Sequence, residues 1–134
     1  MENQNDAIKL REVAKRVLEG TVRGTLKLKQ PIRAQSEDLT ELHYDFSKLT
    51  GWEYVEAMDE GGTTRNVFEV SQKQALCLFA AAAGKATNGV DAVDIRTRIG
   101  MEDTLRAVQI AMVFIVASAR AENPSTSDSS QMQQ

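Results

Sequence analysis

The side chains best suited to chemistry are few, and their spacing does not assemble a catalytic site. His43 is the only histidine. Strand alternation predicts it on an outer face, with Glu41 and Asp45 two residues away, which favours a solvated residue over a general base or a metal ligand. Cys77 is the only cysteine and lies in an apolar run without a neighbouring base. We therefore expect a small core residue rather than a nucleophile.

A group of acids and a glycine pair are the remaining candidates. Four carboxylates form a loose cluster whose charge suits a divalent cation: Asp91, Asp94, Glu102 and Asp103. Because the D-x-D-x-D-G spacing of a calcium loop is missing, we expect a solvated loop and the acidic start of a helix instead. The Gly-Gly-Thr-Thr run at residues 61–64 lacks the length and the lysine of a phosphate-binding loop. We predict no catalytic, metal-binding or cofactor-binding residues, and no enzyme activity.

The composition is typical of one small domain whose core is built from small side chains. The chain has 134 residues, 5% aromatic residues and 16 alanines, of which twelve lie from Ala75 onward. Residues 1–33 carry a net charge of +4 and residues 34–134 carry −7. A basic arm on an acidic body is compatible with nucleic acid binding, but the dense footprint of a dedicated binder is missing. Protein partners are therefore favoured.

In the first third of the chain, the spacing of the apolar residues changes from that of a helix to that of a β-strand. In residues 6–20, which we expect to form a helix ending at Gly20, the apolar side chains have amphipathic spacing: Leu10, Val13, Ala14, Val17 and Leu18. Alternation then predicts a β-hairpin with an apolar inner face: Leu26, Leu28, Ile32, Leu42, Tyr44 and Phe46. Pairing around residues 35–36 sets Lys29 opposite Glu41 on the outer face.

The remaining elements are predicted to be helices. Capping boxes at Thr50 and Ser71 start the first two. We expect the first to turn its apolar residues toward the core: Trp52, Val55 and Met58. The second is apolar on all sides and is expected to stop near Gly84. After a short turn at residues 90–95, a long helix is predicted over residues 102–120, acidic at its start and basic at its end. From Asn123 the chain is polar, and we expect disorder.

These patterns define an α+β fold with an N-terminal helix, a β-hairpin, a mostly α-helical C-terminal part and a disordered tail. We expect an amphipathic helical arm at residues 1–22, a single domain at residues 23–121 and a polar tail at residues 122–134. The longest apolar stretch, residues 107–119, is too short to span a bilayer, and no secretory signal precedes the domain. We expect a soluble protein without membrane association.

The most distinctive feature of the sequence is a pair of helices that are apolar on all sides. A helix that is hydrophobic all round must be buried on every side, and two helices fit this pattern. In so small a chain, their surface meets either another protein or an internal neighbour, and the sequence leaves both open. On the last helix we predict a protein-interaction surface from four residues spaced i, i+3, i+7 and i+10: Leu105, Val108, Met112 and Ile115.

Several segments resemble the tail assembly chaperones of long-tailed bacteriophages and prophages. Residues 41–57, ELHYDFSKLTGWEYVEA, are similar to the E-L-x-x-D-F-x-K-L-T-G strand and turn of that family, which a short acidic helix follows. Residues 25–32, TLKLKQPI, resemble its opening strand, and residues 90–95 and 101–103 resemble its loop and the start of its last helix. The resemblance covers about residues 25–119, and the N-terminal helix is an extension to the family pattern.

The resemblance implies a non-catalytic chaperone in the cytoplasm of the bacterial host. Such a protein binds the tape measure protein, with the tail tube protein as a further candidate, while the tail tube assembles, and is absent from the mature virion. The implied partners include further copies of the chain, in a homo-oligomer, and a frameshift-extended form of it. The alternative is a small nucleic-acid-binding or regulatory protein that uses the basic N-terminal arm.

Overall fold

A β-hairpin followed by helices forms an α+β fold, as the sequence predicts. The structure, a computed structural model, describes residues 9, 11, 12, 20–62 and 70–122. Its elements are β1 (Arg23–Arg33), β2 (Asp38–Asp45), a 3₁₀ turn (Phe46–Lys48), α1 (Gly51–Glu60), α2 (Gln72–Ala86), α3 (Ala92–Arg98) and α4 (Met101–Glu122). The predictions for the N-terminal helix, residues 63–64 and the polar tail lie mostly or wholly outside the described residues. Residues 9, 11, 12 and 20–22 are helical, so this conformation continues past the end expected at Gly20.

The hairpin buries the face that alternation predicts. Its inner side chains are buried or half-buried: Leu26, Leu28, Ile32, Leu42 and Tyr44, with Phe46 following in the 3₁₀ turn. Two strands alone are marginally stable, and here β2 packs against α2 while β1 packs against α4. The helices therefore complete the core that the sheet begins.

The register of the hairpin differs from the prediction because a bulge of several residues interrupts the pairing of β1. Lys27, and not Lys29, lies opposite Glu41. Between that pair and the pair Ile32–Leu39, residues 28–31 of β1 face only Thr40 of β2. Extra residues in one strand interrupt the ladder and leave backbone groups to find other partners. Pro31, which has no N–H to give to a ladder, lies inside the bulge.

Helix α2 is the centre of the core, and α1, α3, α4 and β2 all pack on it. Its alanines 75, 80, 82 and 83 are buried, as are Cys77, Leu78 and Phe79. The capping box at Ser71 is confirmed, but the helix continues past Gly84 to Ala86. A Cβ at Gly84 would lie 2.9 Å from the Ala92 backbone nitrogen. The glycine thus allows the close approach of α3 rather than ending α2.

Helix α1 begins at the predicted Thr50 capping box, but the expectation that it buries Trp52 and Val55 is wrong. Trp52 is 72% exposed and Val55 is 56% exposed, whereas Ala57 is the buried residue. Met58 is half-buried against the core. Polar contacts fix the rotation of the helix: Gln74 Nε2 donates to the backbone carbonyl oxygens of Met58, at 3.2 Å, and of residue 62. The tryptophan therefore points to solvent.

The last two helices are longer than the sequence predicts. The predicted turn at residues 90–95 is a two-turn helix, α3, with a capping box between Asp91 and Asp94. Helix α4 begins at Met101 and ends at Glu122, one residue before and two residues after its predicted bounds. Within the described ranges, no helix has the length and apolar content needed to cross a membrane.

Candidate interaction surface

The start of α4 is fixed to the bulge of β1 through a buried carboxylate. The Asp103 side chain, 1% exposed, accepts hydrogen bonds from the backbone N–H groups of Lys29 and Gln30 at 3.0 Å and pairs with Arg106. Burial opposes the charged form, but the two N–H donors and the guanidinium outweigh it and hold the pKa of Asp103 below its ordinary value. The expectation of a solvated acid is therefore wrong for Asp103.

The inner face of α4 is held by small residues and one aromatic stack. Ala107 and Ala111 are fully buried, which lets the helix lie close to α2. Phe114 stacks on Phe46, with ring centroids 4.3 Å apart and planes at 10°. Together with the Asp103 anchor, these contacts fix the rotation of α4 about its axis.

The opposite side of α4 is apolar and exposed. Leu105 is 56% exposed, Val113 46% and Val116 51%, and Gln109 lies among them. We call these four residues the outer face of α4. Met101, 77% exposed, continues it toward the N-terminus. Exposed apolar side chains that cluster on one helix face are typical of protein interaction sites.

The four residues of the predicted surface do not form a single exposed stripe. Leu105 lies on the outer face, whereas Val108, Met112 and Ile115 are half-buried and pack against the core. Val113 and Val116, which are not among the four predicted residues, are exposed; the apolar character of the whole circumference of the helix was the signal that could have included them. Only the anchors of α4 decide which side is exposed.

A groove runs beside the outer face, between α4 and the hairpin. It has a volume of about 370 Å³ and is lined by Leu26 and Tyr44 of the hairpin, by Ile110 and Val113 of α4, and by residues 20 and 21, where the chain enters the fold. Arg106 and Gln109 lie at its polar edge. The groove and the outer face share Gln109 and Val113, so they form one continuous surface.

The reactive side chains remain apart from one another. The exposed His43 Nδ1 lies 2.9 Å from Thr25 Oγ1, and its Nε2 lies 3.3 Å from Glu41. Cys77 is buried, as expected, and accepts from Arg96 at 3.5 Å. Within residues 9, 11, 12, 20–62 and 70–122, no group of three His, Cys, Asp or Glu side chains is arranged to hold a metal ion.

A second cleft, lined by α1, α2 and α3, is crossed by ion pairs. Lys85 Nζ lies 2.6 Å from Glu53 Oε1, and Arg96 lies 2.8 Å from Glu60. The hydrogen bond from Lys85, helped by the N–H of Thr50, lowers the pKa of Glu53 to about 2. These two ion pairs join α1 to α2 and to α3.

Comparisons with other proteins do not place the chain in a family. It matches no protein family model, no curated protein and no solved structure.

Proposed function

We propose that this protein is a non-catalytic tail assembly chaperone of a long-tailed bacteriophage or prophage, which binds the tape measure protein while the tail tube assembles. The observation that carries the proposal is the outer face of α4, where three aliphatic side chains are about half exposed on one side of a 22-residue helix. A partner with a long helical segment would bury that face in the manner of a helix packed in a groove. The tape measure protein is proposed as the partner because residues 41–57 resemble tail assembly chaperones.

The way α4 is held supports this role. A binding face works best when the element that carries it is rigid, because less conformational entropy is lost on binding. Asp103 fixes one end of α4 to β1, and Phe114 stacks on Phe46 farther along. The outer face is thus presented by a helix whose opposite side is already packed.

The protein acts in the cytoplasm of the bacterial host and self-associates through the same apolar surface. Its other proposed partners are the tail tube protein and a frameshift-extended form of the chain. The alternative, a small nucleic-acid-binding or regulatory protein that uses the basic N-terminal arm, predicts binding to DNA that weakens steeply as the salt concentration rises.

The test is a binding measurement between the purified chain and the tape measure protein encoded with it. Val116→Asp puts a charge on the outer face and should weaken binding by about 30-fold, the loss typical of an interface hot spot. Val55→Asp is the matched control, because Val55 is exposed to a similar extent on α1, and it should leave binding unchanged. Equal affinities for the two variants, both folded by circular dichroism, would contradict the proposal.

A further inference from the structure

The outer face of α4 and its groove have an occupant within reach: the N-terminal arm of the same chain. The described part of the chain starts its continuous course at residue 20, and residues 20 and 21 themselves line the groove next to Val113. The segment that precedes them is therefore tethered at the edge of the exposed apolar surface. No search through solution is needed to bring the two together.

The chemistry of the arm fits that surface. Residues 6–20 carry one apolar stripe: Leu10, Val13, Ala14, Val17 and Leu18. Such an amphipathic segment is stable as a helix only when the stripe is buried against another apolar surface. Lys9, Arg11 and Glu12, which are neighbours of Leu10 and Val13 in the sequence, are helical and exposed. These three polar side chains thus face water, as they would in a docked amphipathic helix.

The length of the arm also agrees with the length of the outer face of α4. A helix of residues 6–20 is roughly 22 Å long, and the outer face from Leu105 to Val116 spans roughly 16 Å along α4. Among the described residues, four of the eight exposed large hydrophobic side chains lie on α4: Met101, Leu105, Val113 and Val116. No other described element offers so many exposed apolar side chains, and the N-terminal arm joins the fold beside this helix.

We propose that the N-terminal arm docks in cis, with its apolar stripe covering the groove between α4 and the hairpin and the adjoining outer face of α4. The arm then protects this apolar surface from unwanted association, and a partner must displace it. This consequence for partner binding rests on the proposed function, whereas the docking itself does not.

The docking is tested by thiol accessibility in the full-length chain. Cys77→Ala removes the natural thiol, and Val113→Cys places a reporter on the surface that the arm would cover. In this background, Val13→Gln with Val17→Gln removes apolar contacts of the arm without changing its charge. Glu12→Gln with Arg16→Gln is the matched control, with the same spacing, the same new residue and no change in net charge. We expect the reporter to react about 10-fold faster in the first variant and at an unchanged rate in the control.

Two outcomes would overturn the proposal. One is a reporter rate that is equal in the unchanged reporter chain, in the chain with Val13→Gln and Val17→Gln, and in the control with Glu12→Gln and Arg16→Gln. The other is protection that grows with protein concentration and survives the arm substitutions, which would show that a second copy covers the face. A reporter at Val55→Cys on α1 should react equally in every chain, and unequal rates there would reveal a general loss of folding.

If folding is lost, a second measurement replaces the first. A chain with Val17→Cys and Val113→Cys, again with Cys77→Ala, should form an intramolecular disulfide under mild oxidation, because docking brings the two thiols together. A disulfide that forms no faster than in a control chain with Val17→Cys, Val55→Cys and Cys77→Ala, whose second thiol lies on α1, would overturn the docking. Neither measurement uses the tape measure protein, so a failed docking and a failed chaperone proposal remain distinguishable.

Discussion

Removing the Asp103 carboxylate should reduce the free energy of unfolding far more than removing an exposed acid from the first turn of a helix. Asp103→Ala leaves the N–H groups of Lys29 and Gln30 without their acceptor and Arg106 without its carboxylate partner. An unsatisfied buried donor costs about 1–3 kcal/mol. Because both donors are only partly buried, the lower part of that range applies to each. We expect a total loss of about 2–3 kcal/mol, a large fraction of the stability of a small domain.

The measurement is urea unfolding at neutral pH, followed by circular dichroism, with Glu102→Ala as the control. Glu102 is the neighbouring acid, and its ion pair with Lys29 Nζ, at 3.0 Å, joins two largely exposed side chains. Exposed pairs contribute little, so this variant should lose no more than about 0.5 kcal/mol. If the two variants unfold within about 0.5 kcal/mol of each other, the anchor has no energetic role and the reasoning fails.

The same anchor makes a prediction about pH. The pKa of Asp103 in the folded protein lies below its ordinary value of 3.8. A lowered folded pKa means that the contribution of the carboxylate is complete above about pH 4 and is lost as the pH falls through the folded pKa. The stability difference between the natural chain and Asp103→Ala should therefore be constant near neutrality and shrink in strong acid. A difference that grows in acid would contradict the assigned cause.

Three further predictions concern α1 and the loop that follows it. Trp52→Ala should change the free energy of unfolding by less than about 0.5 kcal/mol in urea, because the indole is mostly exposed; a large loss would mean that the ring is buried. In an NMR titration, the Glu53 carboxyl should titrate at about 2, and Lys85→Met should move that midpoint up toward 4.5. Gly61→Ala should destabilise by about 1–3 kcal/mol, since a Cβ there would lie 2.7 Å from a backbone nitrogen of α2. Gly51→Ala is the control for Gly61→Ala: a Cβ there would meet no other part of the fold within 4 Å, so this change should be neutral or stabilising by up to about 1 kcal/mol.

Much of the local structure was predictable, because it depends on neighbours in the sequence. The capping boxes that start α1 and α2 each involve residues three apart, and both form as predicted. The inner face of the hairpin follows from alternation alone. The register did not follow, because the bulge of β1 is stabilised by Asp103, more than seventy residues away. No local pattern could reveal that partner, although Pro31 indicated an interrupted ladder.

The candidate surface, too, was predictable from the sequence only in part. The sequence predicted that the last helix is apolar on all sides, and it placed Leu105 within an interaction surface. It did not distinguish the side that packs on α2 from the side that meets solvent, because apolar periodicity has no preferred direction in such a helix. The Asp103 anchor and the Phe114 stack made that distinction and added Val113 and Val116 to the outer face.

The sequence by itself determined the class of fold, the starts of α1 and α2 and the apolar character of α4. These properties arise from contacts within a few residues, where side-chain type and backbone preference act directly. The tertiary structure alone decided the register of the hairpin, the exposure of Trp52 and the orientation of α4. Each of these is a rotation or a shift of a whole element, and its free energy comes from partners distant in the chain. That is why the surface proposed to bind a partner becomes visible only after the elements are packed.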